Sequence, residues 1–88
     1  MSLAWHISGD ASADLRPLET PFQEAVFDEL DGLASNPSRL PAPTEDWGSV
    51  HPFTFVHGGK LYVLTLHLSH SVQQQVITLL GVRVFSVD

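Results

Sequence analysis

Apolar residues recur with two different spacings along this chain, helical in its first half and strand-like in its second. "LAWHIS" opens the pattern by alternation. Leu3, Trp5 and Ile7 share one parity, which predicts a short strand. In "GDASADLRPLETP", Ala11, Ala13, Leu15 and Leu18 suit a brief helix capped by Asp10 or Ser12, and Pro17 ends it. A second helix follows. Thr20 is placed as its N-cap, Pro21 as its first residue, and Gln23 three positions on completes a capping box. Phe22, Val26, Leu30 and Leu33 fall on one face, widened by Ala25, Phe27 and Ala34. Asn36-Pro37 stops the helix. Its polar side carries Glu24, Asp28 and Asp31, a solvated face or a docking face for a basic partner.

The period then shortens to two. "VHPFTFVH" and "KLYVLTLHL" flank Gly58-Gly59, a two-residue hairpin signal. Pairing His57 with Lys60 puts Phe53, Phe55, Tyr62, Leu64, Leu66 and Leu68 on the face that meets the helical stripe. Val50, Thr54, Val56, Leu61, Val63, Thr65 and His67 take the other face. "SHSVQQQ" turns the chain into a last strand, "QVITLLGVRVF". Gly81 within it marks a bulge or bend, and the face taken by Arg83 depends on which it is. Between the halves, "NPSRLPAPTEDWGS" reads as a long loop that Trp47 packs down. The expectation is one α+β domain over residues 1–88 in the order β-α-α-β-β-β. It has a twisted antiparallel sheet with both N-terminal helices packed on one face.

Charge narrows the function classes. Ten acidic residues stand against four Lys and Arg, a formal charge of −6, which disfavours RNA, the ribosome or other nucleic acid as a broadly bound partner. A small local site remains compatible with it. There is no cysteine, so disulfide and thiol chemistry are absent. No apolar run approaches the ~20 residues that span a bilayer, and no leader pattern opens the chain, so no membrane contact and a cytoplasmic location are expected.

The candidate chemistry is sparse. His67 and His70 form H-x-x-H, but on a strand they point to opposite faces, and no HExxH occurs. No metal site and no cofactor are expected. No G-x-S-x-G supports a serine nucleophile. Gly58-Gly59 leads into a strand rather than a helix, so it is no phosphate cradle. The polar residues of the strands remain: Arg83, Lys60 and His67 as candidate catalytic groups, with His57, Tyr62 and His70 as candidate binding groups. A proton-exchanging group beside an arginine suits phosphodiester cleavage, activating a 2′-hydroxyl and neutralising the developing charge.

The order of these pieces resembles the RelE/ParE superfamily of bacterial toxin–antitoxin systems. "WHISGDASADLRPL" is similar to that family's first strand and its "sA..dL..L" helix, and "FDELDGLASNPSRL" to its second helix with an "L..nP.." stop. "DWGS" takes the place of a loop "L.G" element, and "VITLLGVRVF" echoes the closing "v.vl.vghR..vY". The resemblance implies a small toxin held by an antitoxin that wraps its helices and sheet. RelE-like members cleave messenger RNA in the ribosomal A site, and ParE-like members inhibit DNA gyrase. By motif position, Arg83 matches the arginine of the "ghR" element, which binds phosphate or the transition state in the nucleases. Lys60 lies about one residue out of register with a central basic position. Val82 stands where histidine is frequent, and Phe85 and Val87 replace the closing tyrosine. The reading is a divergent or catalytically weak member. The alternative on the same scaffold is a non-enzymatic interaction domain or a homodimer built through an exposed strand.

Overall fold

A computed structural model describes residues 3–36, 39, 49–71 and 74–87. Strand β1 (Ala4–Ile7) leads into helices α1 (Gly9–Leu15) and α2 (Thr20–Ser35), then strands β2 (Ser49–His57), β3 (Lys60–Ser71) and β4 (Val76–Ser86). The element order is the one the periodicities predict. Trp47 and most of its loop lie outside the described residues.

The helices begin differently from expectation. Ser8 caps α1, its hydroxyl accepting from the Ala11 N–H at 3.2 Å. Asp10 lies instead in the first turn, where a carboxylate suits the positive end of the helix dipole. The turn after Arg16 leaves the last carbonyls of α1 in need of donors. The Gln23 side-chain amide serves this turn, donating to Leu15 O, the last carbonyl of α1, at 2.8 Å and to Leu18 O in the turn at 3.1 Å. The expected capping box does not form, because the cap falls one residue earlier than Thr20. Glu19 holds the cap position of α2 without a side-chain bond, and Thr20 and Pro21 are already inside the helix.

The stripe on α2 packs as its spacing requires. Phe22, Val26, Leu30, Leu33 and Ala34 are buried with Ala11 and Leu15 of α1 against Leu64, Leu66 and Leu68 of β3 and Ile77, Leu79 and Val82 of β4. Phe27, at the margin of the stripe, stacks on Trp5 with ring centroids 5.8 Å apart. The Trp5 Nε1–H donates to Asp31 at 2.7 Å.

The sheet order is β1-β4-β3-β2. Gly58 and Gly59, at φ 61° and 76°, form the turn between β2 and β3, a conformation that favours glycine at both sites. The register runs from His57↔Lys60 to Ser49↔Leu68. In such a turn the closing pair is hydrogen-bonded, so odd-numbered residues of β2 bond to β3 and even-numbered ones face the free edge. Pro52 falls on that free edge, where its missing N–H weakens no ladder bond and blunts pairing with another chain.

One strand departs from the expected sheet. β2, β3 and β4 are antiparallel, but β1 pairs parallel with β4, from Ala4↔Val76 to Ile7↔Leu79, so the sheet is mixed. Alternation along four residues carries no information about strand direction. Direction is set by where the two helices return the chain.

Replacing fully buried Leu30 with alanine removes side-chain packing at the centre of the helix–sheet contact. A loss of about 2–5 kcal/mol in unfolding free energy is expected by urea denaturation.

Candidate functional site

The site rests on a one-residue irregularity in β4. His67 pairs with Gly81, but the next residue of β3, Leu68, pairs with Leu79, leaving Leu80 as the extra residue of a bulge. Before it, Ile77 and Leu79 are buried and odd-numbered residues face the helices. After it the parity reverses. Val82 is buried, and Arg83, paired with Thr65, is exposed on the face away from the helices. Without the extra residue, Arg83 would continue the buried row.

Helix α1 secures this arrangement. The Asp14 carboxylate accepts the Val82 N–H at 3.1 Å, on the edge of β4 that extends beyond short β1. Gly81 leaves the space for it. A Cβ there would come within 3.2 Å of Asp14 Oδ2 and 3.9 Å of the His67 Cβ. The result is a groove of about 360 Å³ floored by Gly81 and lined by Asp14, Thr65, His67, Val50 and Arg83. His67 and Arg83 share its face as diagonal neighbours across β3 and β4. Together they offer a proton-exchanging imidazole and a guanidinium suited to an anionic oxygen.

No protein-family model matches the sequence, and neither does any curated protein. Similarity emerges in three dimensions. The solved structure of a double arginine-to-alanine mutant of the E. coli toxin RelE in the free state aligns with a TM-score of 0.65. The alignment covers 93% of this chain and 82% of that one, at 16% identity. The chain has a RelE-like fold.

Within this RelE-like sheet the expected polar group separates into two sets. Lys60, His57 and Tyr62 alternate onto the helix side at the hairpin end. His57 Nε2 lies 3.4 Å from Glu19 Oε2, and its ring stacks on Phe55 and meets Phe22 edge-on. Tyr62 also meets Phe22, with centroids 5.0 Å apart at 90°. Lys60 is exposed opposite His57. His70, near the far end of β3, is half-buried, with Nδ1 enclosed and unbonded among the described residues. Only Arg83 and His67 of the expected set meet in the groove.

Two contributions escaped the sequence reading. Asp14 is one; an acid on α1 gives no sign that it reaches an N–H sixty-eight residues on. Gly81, singled out as a bulge candidate, was the available signal. The second is His51, whose Nε2 lies 3.5 Å from Glu29 Oε2, while Glu29 Oε1 meets Arg39 at 3.1 Å. This cluster ties β2 to α2 on the helix side, away from the groove.

Asp14→Ala removes the acceptor of the Val82 N–H. Hydrogen exchange at that amide is expected to accelerate selectively, with about 1 kcal/mol lost from global stability. Unchanged protection at Val82 would show that the carboxylate does not hold the bulge.

Proposed function

We propose that this chain is a divergent RelE/ParE-like toxin-family protein of a toxin–antitoxin system, with an antitoxin as its protein partner. The reading places it in the bacterial cytoplasm, acting on messenger RNA at the ribosome or on another target, as a weak catalyst. The observation that carries the proposal is the exposed Arg83 on the open face of a RelE-like sheet, beside His67.

The chemistry of the groove accounts for both an activity and its weakness. For a strand laid across this face, Arg83 would neutralise a phosphate oxygen and strengthen that contact as charge develops. His67 would take the proton from a 2′-hydroxyl as its oxygen bonds to phosphorus. The bond to the 5′-oxygen then breaks, and that oxygen needs a proton. Phe85 and Val87, the next residues along this face of β4, have none to give, so water must supply it. A step without a positioned acid is slower, typically by 10²–10⁴-fold. Lys60, with His57, Tyr62 and His70, sits across the sheet. In this reading these four belong to contacts with a partner rather than to the reacting phosphate.

A second reading is favoured by the apolar side chains that continue the Arg83 face, Phe85 among them, half-exposed at 51%. They suit a protein contact better than a polyanion, and give a non-enzymatic interaction domain on the same scaffold.

Induced expression in E. coli, followed by primer extension on cellular messages, tests the first reading. Growth arrest with new 5′ ends is expected; Arg83→Ala reduces the new ends at least tenfold, and a co-expressed antitoxin relieves the arrest. Normal growth with intact messages would remove the nuclease reading. Growth arrest unchanged in Arg83→Ala would place the activity elsewhere.

A further inference from the structure

Strand β2 carries a ring at alternate positions on its helix-facing side: His51, Phe53, Phe55 and His57. Both ends of this row are tied to α2 and its cap. His51 Nε2 lies 3.5 Å from Glu29 Oε2, and His57 Nε2 lies 3.4 Å from Glu19 Oε2. The rings associate in pairs from each end. His51 stacks on Phe53 with centroids 6.4 Å apart, and Phe55 stacks on His57 at 6.1 Å. Among the described residues no ring contact joins Phe53 to Phe55, so the row is open at its middle. A groove of about 280 Å³ lies there, lined by these two phenyl rings and by Ala25, Asp28 and Glu29 of α2. The small Ala25 side chain leaves the space across from the rings unfilled.

We infer that this groove seats an arginine side chain of a protein partner, with its guanidinium against Phe53 and Phe55 and paired with Asp28. Two observations select a cation from outside the chain. Glu29 is engaged by Arg39 and His51, but the neighbouring Asp28 carboxylate has no hydrogen bond or ion pair among the described residues. The chain also has no Lys or Arg left to supply it. Of the four in the whole sequence, Arg39 sits on Glu29 and Arg16 closes α1. Lys60 follows the hairpin turn, and Arg83 lies on the opposite face of the sheet. Phenyl rings beside a free carboxylate attract a cation through the ring quadrupole and the charge together.

Shape and charge narrow the cation to a guanidinium carried by a peptide. A guanidinium is planar, stacks on aromatic rings and holds its water less tightly than an ammonium, so it enters a half-buried slot at lower cost. Arg39 already shows the pairing on the same flank of α2, with Nη2 3.1 Å from Glu29 Oε1. At about 280 Å³ the groove falls below the usual range for drug-sized ligands and suits a single side chain. Free arginine would bring its own α-carboxylate to a rim that holds Asp28 and Glu29, with exposed Glu24 one turn away, whereas an arginine within a peptide does not. The groove lies on the helix side of β2, away from Arg83 and His67, so the inference does not rest on the toxin reading.

Amide chemical shifts of the isotope-labelled full chain, followed while the blocked peptide acetyl-Ala-Arg-Ala-amide is added, test this without reference to any activity. Saturable shifts are expected at Asp28, Phe53 and Phe55. The same peptide with citrulline for arginine keeps the shape without the charge and should bind at least tenfold more weakly. The lysine peptide and free L-arginine should each bind at least threefold more weakly. Asp28→Asn should weaken binding at least fivefold and Phe53→Leu at least threefold, with unchanged circular dichroism, whereas Glu24→Gln should stay within twofold. If Phe53→Leu disturbs the fold, Asp28→Asn, at an exposed position, decides. Absence of saturable shifts at these amides overturns the inference. So does a response that Asp28→Asn leaves intact, or one that Glu24→Gln weakens equally, the mark of diffuse attraction to an acidic chain. Equal binding of the lysine peptide or of free arginine overturns the assignment to a peptide-borne guanidinium. A negative result leaves the toxin reading standing, since growth arrest is measured separately.

Discussion

A strand with one buried face has a strict two-residue period, and a single extra residue reverses every side chain beyond it. The bulge at Leu80 does this in the middle of β4. It keeps the core continuous, because Val82 follows Leu79 into the interior, and it moves the following arginine to the open side. The arrangement has two supports. Gly81 leaves the volume, and Asp14 takes the Val82 N–H on the strand's outer edge. A helix from the start of the chain thus governs the geometry of its last strand. The groove and the facing of Arg83 and Phe85 follow from that bulge.

The molecule is consequently two-sided. One side of the sheet is closed by α1 and α2, and the leucines of β3 meet the stripe of α2 there. The polar groups on this side are drawn into packing. His57 sits between Phe55 and Glu19, and His51 beside Glu29. Among the described residues, the other side has no helical cover. It combines a groove holding Arg83, His67 and the Asp14 carboxylate at one end with apolar side chains at the other, and the other described acids belong to the helical layer.

A RelE-like fold at 16% identity establishes a scaffold, and function resides in the side chains placed on it. In the reading proposed for the groove, those side chains are Arg83 and His67, with no acid positioned for the leaving oxygen among the described residues. Phosphoryl-transfer chemistry can use such a pair, but the leaving oxygen must find its proton in water. The acidic helices add a long-range field unfavourable to a polyanion, screened within about 10 Å at moderate salt.

Local rules determined much of the fold from the chain alone. Gly58-Gly59 set the hairpin, the hairpin set its register, and the register placed the leucines of β3 opposite the stripe of α2. Each step needs only neighbours in sequence and the periods of strand and helix. Other features required partners brought together by folding. The Gln23 side chain bonds to the turn after α1 rather than to the cap of its own helix. β1 took a parallel place on β4 because the helices carried the chain to β2 on the far edge, and two antiparallel steps then brought β4 alongside it. The sequence could mark Gly81 as a break in the last strand, but not its consequence for Arg83. A bend and a bulge look alike in one dimension. The outcome was decided by Asp14, whose hydrogen bond to Val82 exists only once α1 lies along the edge of β4.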